Sequence, residues 1–344
     1  RRRVFSEFAM VMSLTLAILG LAGGTRVHTH QRVRVRGGVA ASLVFMSDAE
    51  VVASAPAPSP PPPVVKLPPV SEGQNAAGLK TITLTHPNGD STRMYPFGAC
   101  VTSYICDGVE TLKVRPDAKM DGSKPISGGI PFCFPQFGPG AIQQHGFARN
   151  LVWEVVSTSP VPEPTVLFRL VDSAETRAMW DYAFEAHYTV TLAKDRLKTS
   201  FKVLNTGNDA FSFTAALHSY FDISSIANLK IKGNFKGATY LDKMTTPPQE
   251  VVATSDEIII SKETDCVYKG VSGEVKLIDS GKGTTLAVQC KQGWRDTVIW
   301  NPYGNTDMGF DNFVCAEAAL ASFPFTLKPG VEWTGVMDLI LSKN

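Results

Sequence analysis

The chain of 344 residues is short of several features that would point directly to a role. Its charge is nearly balanced, 33 Lys and Arg against 32 Asp and Glu, for a formal net charge of +1. A nucleic-acid partner selects for a surplus of cations along one face, and the body of this chain has no basic stripe interleaved with aromatic residues. Nucleic acid is therefore not an expected partner. Cysteine is scarce: Cys100, Cys106, Cys133, Cys266, Cys290 and Cys315 stand without paired metal-ligand spacing and are too few to staple a chain of this size. They read as buried thiols, and no metal is expected. Long apolar runs are missing too. Residues 8–22 are apolar over 15 positions, where a membrane-spanning helix needs roughly 20, so stable membrane insertion of the mature domain is not expected. No segment keeps helical periodicity for three turns, and no internal repeat is visible.

What is present begins with a segment unlike the rest. Up to Ser47 there are seven arginines against one acid, Glu7, a bias typical of organelle transit peptides. The apolar run at 8–22 also fits the h-region of a secretory signal, so the secretory pathway is the competing reading. A second arginine cluster, residues 32–36, follows that run where a secretory cleavage site is short and uncharged. This favours a chloroplast transit peptide over residues 1–52. Residues 53–76, with the run APAPSPPPPVVKLPP, read as an extended polyproline-type linker with no apolar face to bury. The folded domain is then expected at 77–344.

From there the pattern changes to period two. Residues 81–86, 165–170, 187–192 and 197–204 alternate apolar and polar, with turns at 87–90, 194–195 and 205–208. Further strands are expected at 211–217, 229–232, 274–278, 285–289, 297–300, 313–317 and 334–341. Many short strands with frequent turns predict a large antiparallel all-β sandwich. One stretch departs from this regularity: residues 128–150, GGIPFCFPQFGPGAIQQHGFARN, carry His145 and Arg149 on a backbone broken by glycine and proline. Such a shaped loop with polar groups usually serves a ligand.

The motifs GGIPFCFPQFGP and QHGFARN, then LHSYFDI at 217–223, YLDK at 240–243, DTVIWNPY at 296–303 and FVCAEAA at 313–319 resemble the aldose 1-epimerase superfamily. The resemblance covers roughly residues 78–343, and the nearest branch looks like the glucose-6-phosphate 1-epimerases, or hexose-6-phosphate mutarotases. It implies a galactose-mutarotase-like antiparallel β-supersandwich, an enzyme without a cofactor, and a small-molecule sugar phosphate as partner. A monomer is expected.

The chemistry follows from the residue types. Exchanging anomers requires a base to take the proton of the C1 hydroxyl and an acid to protonate the ring oxygen; the ring opens, C1 rotates, and the ring recloses. A carboxylate and an imidazole suit these tasks near neutral pH. The resemblance assigns the base to Glu317 and the acid to His218. The ordinary alternatives are a strand-end glutamate facing water and a core histidine satisfied by a carbonyl. The resemblance assigns His145 and Arg149 to the substrate, Arg149 offering a planar donor fork suited to phosphate. Asp242 would accept from sugar hydroxyls, Gln144 is a further binding candidate, and Trp300 could support a sugar face. One departure stands out: the branch carries an arginine before Gly-Gly-Ile-Pro where this chain has Ser127. Lys124 offers a point charge nearby. A second function class therefore stays open, a non-catalytic sugar-binding or scaffold subunit that keeps the fold.

Overall fold

The structure, a computed structural model, describes residues 68–344. The transit peptide expected at 1–52 and the linker up to residue 67 lie outside the described residues. The linker's last stretch corrects the expectation. Val70–Gln74 form a strand paired antiparallel with Lys80–Thr85, Val70 standing opposite Leu84. Its side chains are exposed or half-buried, so it shows no alternating apolar face from which the sequence could reveal it. Pairing of its backbone groups, not burial, makes it a strand, and the domain begins near residue 70 instead of 77.

All pairings between strands are antiparallel, in three sheets. The first is a meander of Val70–Gln74, Lys80–Thr85, Ser91–Tyr95, Cys100–Cys106 and Val109–Glu110. The second has nine strands, in spatial order Glu257–Ile258, Leu229–Lys232, Glu274–Asp279, Thr284–Gln292, Glu332–Lys343, Leu197–Asn205, Phe184–Leu192, Thr165–Val171 and Glu154–Ser159. The third runs Gln249–Val252, Thr239–Asp242, Thr264–Tyr268, Asp296–Asn301, Phe313–Leu327, Phe211–Leu217 and Phe132–Cys133, with Tyr220–Asp222 also paired to Phe313–Leu327. The single α-helix among the described residues, Ala174–Met179, is capped by Ser173 and Thr176. This is the large antiparallel all-β sandwich expected from the alternation, and the supersandwich that the resemblance implies.

The core lies where the two large sheets face each other. Leu197–Asn205 alternates buried and half-buried residues along its whole length, and Phe201 from this strand meets Phe132 of the other sheet at 4.8 Å and Phe134 at 5.6 Å between ring centres. Phe213 and Trp333 meet across the same gap at 5.5 Å. Each such ring removes apolar surface from water, a gain of about 1.5–3 kcal/mol.

The strand Phe313–Leu327 shows how the fold creates a second surface. Val314, Ala316, Ala318 and Leu320 point into the main core. The alternate positions face the other way: Ala319 packs with Cys133, Ala216, Val267 and Val298, and Cys315 packs with Tyr220 and Phe313. Period two therefore gives the third sheet an outer floor of small and aromatic side chains, and Glu317 stands in it between Cys315 and Ala319.

Candidate active site

Glu317 lies within a strand paired on both sides, opposite Val298 on one neighbour. On the other neighbour, Leu217 pairs with Ala318 and Tyr220 pairs with Cys315, so the intervening His218 falls opposite Glu317. Residues directly opposite in an antiparallel pair project to the same face. His218 Nδ1 accordingly lies 3.3 Å from Glu317 Oε1. The ladder opens at this point: the His218 N–H donates to Pro131 O at 2.9 Å, and the Ser219 N–H turns back to Leu217 O at 2.7 Å. The imidazole stacks on Tyr220, with ring centres 4.9 Å apart and planes at 9°, and meets the edge of Trp300 at 5.8 Å.

This pair is buried without being satisfied. The Glu317 side chain is 1% exposed, and neither its Oε2 nor His218 Nδ1 has an aligned hydrogen-bond partner. Orphaned buried polar atoms are costly and rare, which marks the place as kept for something other than stability. Burial pushes the Glu317 carboxyl well above its ordinary 4.5, with Asp265 adding to the rise while Lys243 and Arg149 oppose it. Burial likewise holds His218 well below 6.5, helped by His145, Arg149 and Lys243. Both directions favour neutral groups: a proton on the carboxyl and a free imidazole.

The glycine-rich loop brings the next residues. His145 adopts a left-handed backbone, φ 66°, and Gly146 follows at φ 70°, where an added Cβ would stand 2.1 Å from Phe134 O. Only glycine fits there. The Gly138 N–H donates to His145 Nδ1 at 3.1 Å, and Cys133 Sγ lies 3.0 Å from the same nitrogen. An accepting Nδ1 leaves the proton on Nε2 and makes that nitrogen the outward donor. His145 is pushed down to about 3 by burial, then by Arg149 and Lys243, and so stays neutral. Its ring lies 5.4 Å from that of His218. Gln144 is exposed, its amide 3.4 Å from His145 Nε2. Arg149, in the short 3-10 turn Ala148–Asn150, donates from Nη2 to Gln144 O at 2.9 Å, while its Nε is buried without a partner.

One expected residue is not brought to this face. Asp242 pairs opposite Cys266, which pairs opposite Ile299, and both of those belong to the main core. Its Oδ1 accepts from the Met244 N–H at 2.9 Å and closes a turn. The correction follows from the pleat: neighbouring residues at a strand end point to opposite faces. The carboxylate on the site face is Asp265, opposite Trp300, which is itself opposite Cys315. Lys243 Nζ donates to Asp265 Oδ2 at 2.7 Å and lies 5.7 Å from the centre of the Phe137 ring. The alternation in TDCVY, with Cys266 and Tyr268 buried in the core, is the signal that could have found Asp265. Trp300 is on the site face and half-buried, whereas Lys124 is exposed.

Donor atoms of His218, Cys315 and Glu317 lie within 4.8 Å of one another, a set with the chemistry of three zinc ligands. The Cys315 thiol, however, is held well above its ordinary 9.0 by burial and by Glu317, and Lys243 and Arg149 place positive charge against the carboxylate. The arrangement suits proton exchange better than cation binding. A polar groove between Ser71–Asn75 and Thr81, Thr83, Arg93 and Tyr95 includes none of these groups, and the site is identified by its converging side chains.

Comparison with known proteins bears on the family and the fold. The family model "Aldose 1-epimerase" matches residues 80–339. A "Putative glucose-6-phosphate 1-epimerase" from Cenchrus ciliaris is 33% identical over 282 residues, 76% of this chain and 85% of that protein. The crystal structure of a "putative mutarotase (YeaD)" from Salmonella typhimurium superposes with a TM-score of 0.73 at 27% identity, covering 81% of this chain and 95% of that one. A galactose 1-epimerase from Lactobacillus acidophilus shares the fold, with a TM-score of 0.59 at 16% identity over 80% of this chain and 98% of that one.

Proposed function

Because the chain belongs to the aldose 1-epimerase family, we propose that it interconverts the α and β anomers of a hexose 6-phosphate by acid–base ring opening and closure. The observation that carries this reading is the cross-strand pair of Glu317 and His218, 3.3 Å apart, each with an unpartnered buried atom.

The proton balance closes on that pair. In the reactive form Glu317 is a carboxylate and His218 an imidazolium, with one titratable proton between them. Glu317 takes the C1 hydroxyl proton while His218 gives its proton to the ring oxygen, and the C1–O bond to that oxygen breaks. The product is an open-chain aldehyde beside a neutral carboxyl and a neutral imidazole. These are the states that burial favours for the two groups. Closure reverses each transfer after C1 has turned. Positioned groups of this kind contribute roughly 100- to 10,000-fold each. His145 Nε2–H donates to a substrate oxygen, Arg149 and Lys243 supply cationic donors beside the carboxylate, and Asp265 accepts from a hydroxyl. Trp300 and Tyr220 offer apolar faces to the ring.

A subunit that only binds sugar gains nothing from a carboxylate oxygen left orphaned under an imidazole, so the enzyme is favoured over the scaffold. The test is anomer exchange of freshly dissolved α-glucose 6-phosphate followed by NMR. The wild-type chain exchanges it well above the buffer rate, and Glu317→Gln and His218→Asn each lose at least about 100-fold in kcat/KM while melting cooperatively. Exchange that survives in both variants refutes the mechanism.

A further inference from the structure

Ser127 is uncharged where the resemblance implies an arginine. We propose that Arg115 supplies a cation there from the segment bridged to Gly128, and that this guanidinium holds the 6-phosphate and so selects phosphorylated over free hexose. The inference rests on the epimerase reading and names the group that sets its substrate.

The backbone makes the exchange of positions geometrically direct. Val114 bridges Gly128, the Arg115 N–H donates to Ser127 O at 3.0 Å, and the Gly129 N–H donates to Lys113 O at 2.8 Å. In this register residue 115 stands directly opposite residue 127, so their side chains leave the ribbon on the same side. The register cannot slip easily. A Cβ on Gly128 would lie 2.4 Å from Val114 Cα, so the two backbones approach as only glycine allows.

The backbone around Arg115 runs beside the site: the Lys113 N–H donates to Tyr220 O at 2.9 Å, the Tyr220 N–H donates to Gly129 O at 2.8 Å, and Tyr220 packs with Cys315 on the face that carries Glu317. The positive charge of Arg115 opposes the burial that raises the Tyr220 hydroxyl and the Cys315 thiol. Tyr220 is the residue stacked on His218. The side chain is only 11% exposed, an unusual depth for an arginine whose carboxylate partner, Asp117, is itself 43% exposed. Nε donates to Asp117 Oδ1 at 2.9 Å and Nη2 to Oδ2. The Nη1 end of the fork has no carboxylate on it and can take a phosphate oxygen while Asp117 holds the other end.

The substrate's shape matches this placement. With C1 at Glu317 and the ring oxygen at His218, C5 adjoins that oxygen and carries C6, so the phosphate leaves the ring on the His218 side, along Tyr220. Arg149 and Lys243 act on Glu317, His145 and His218, at the reacting end. Arg115 is the cation at the other.

The test compares α-glucose 6-phosphate with α-glucose on the full chain, reading the ratio of their kcat/KM values. Arg115→Gln lowers that ratio about 10- to 100-fold through KM for the phosphorylated sugar, the loss typical of a charge-assisted contact. Arg115→Lys, which keeps the charge without the fork, falls between. The double change Arg115→Ser with Ser127→Arg restores the ratio, because the guanidinium returns from the opposite residue. Inorganic phosphate raises the melting temperature of the wild type and not of Arg115→Gln. A ratio unchanged in Arg115→Gln and Arg115→Lys, a parallel fall for both sugars, or phosphate protection retained by the variant overturns the proposal and makes Arg115 structural. Failure of the epimerase reading looks different: the wild type exchanges neither sugar, and the phosphate melting shift still decides the role of Arg115.

Discussion

At the scale of single residues, the two groups proposed to move protons stand in positions that are poor for stability. Glu317 is buried with one oxygen unpartnered, and burial raises its carboxyl above the ordinary 4.5. A folded state that holds this proton more tightly than the unfolded chain has its full stability below pH 4.5 and loses it as the pH climbs through the raised value. Glu317→Gln removes that loss. Its melting temperature is therefore expected to exceed the wild type's at pH 8, with the gap closing as the pH falls, although its catalysis is gone. Thermal unfolding of both proteins across that range checks the sign. These two residues were legible in the sequence because each sits in a short motif, LHSYFDI and FVCAEAA, whose order along the chain carries the resemblance. Their contact was not. It depends on a pairing register between strands about a hundred residues apart, which local patterns do not encode.

At the scale of elements, the strands read from alternation are present, while edge strands without alternation and the short Thr264–Tyr268 are not among those expected. Leu197–Asn205 and Phe184–Leu192 alternate at every position because each has one face in the core. Gln249–Val252 and Val70–Gln74 are edge strands with little buried on either face, and their sequences carry no such signal. The same pleat separates Asp242 from Asp265. A motif names the dipeptide Asp242-Lys243, but only the face decides that Lys243 joins the site while Asp242 turns inward. Asp265→Asn is expected to lower kcat/KM for α-glucose 6-phosphate about tenfold or more, since it removes the partner of Lys243 and an acceptor for the sugar. Asp242→Ala leaves KM close to wild type and costs about 1 kcal/mol of stability through the Met244 turn. Kinetics and melting curves on the two variants separate these outcomes.

At the scale of the whole molecule, the described domain is one β-sandwich system with the site on its outer sheet face. Its true beginning can be tested by truncation. A chain that starts at residue 68 keeps Val70–Gln74 and is expected to melt with the full chain. One that starts at residue 77 loses that strand, exposes the edge of Lys80–Thr85 and melts lower. Equal melting of the two truncations would return the strand to the linker. The cross-strand placement of Glu317 and His218 has a consequence for how the sugar must behave. Their separation is set by the hydrogen-bond ladder on either side of them, so neither group can follow C1 from one face to the other. The aldehyde must therefore make its half-turn against a fixed pair, and the floor beneath it has to be slack where the sugar pivots. The small side chains of Ala216, Ala319 and Val298 leave that freedom, and under the proposed mechanism room for rotation counts as much as the acid and the base.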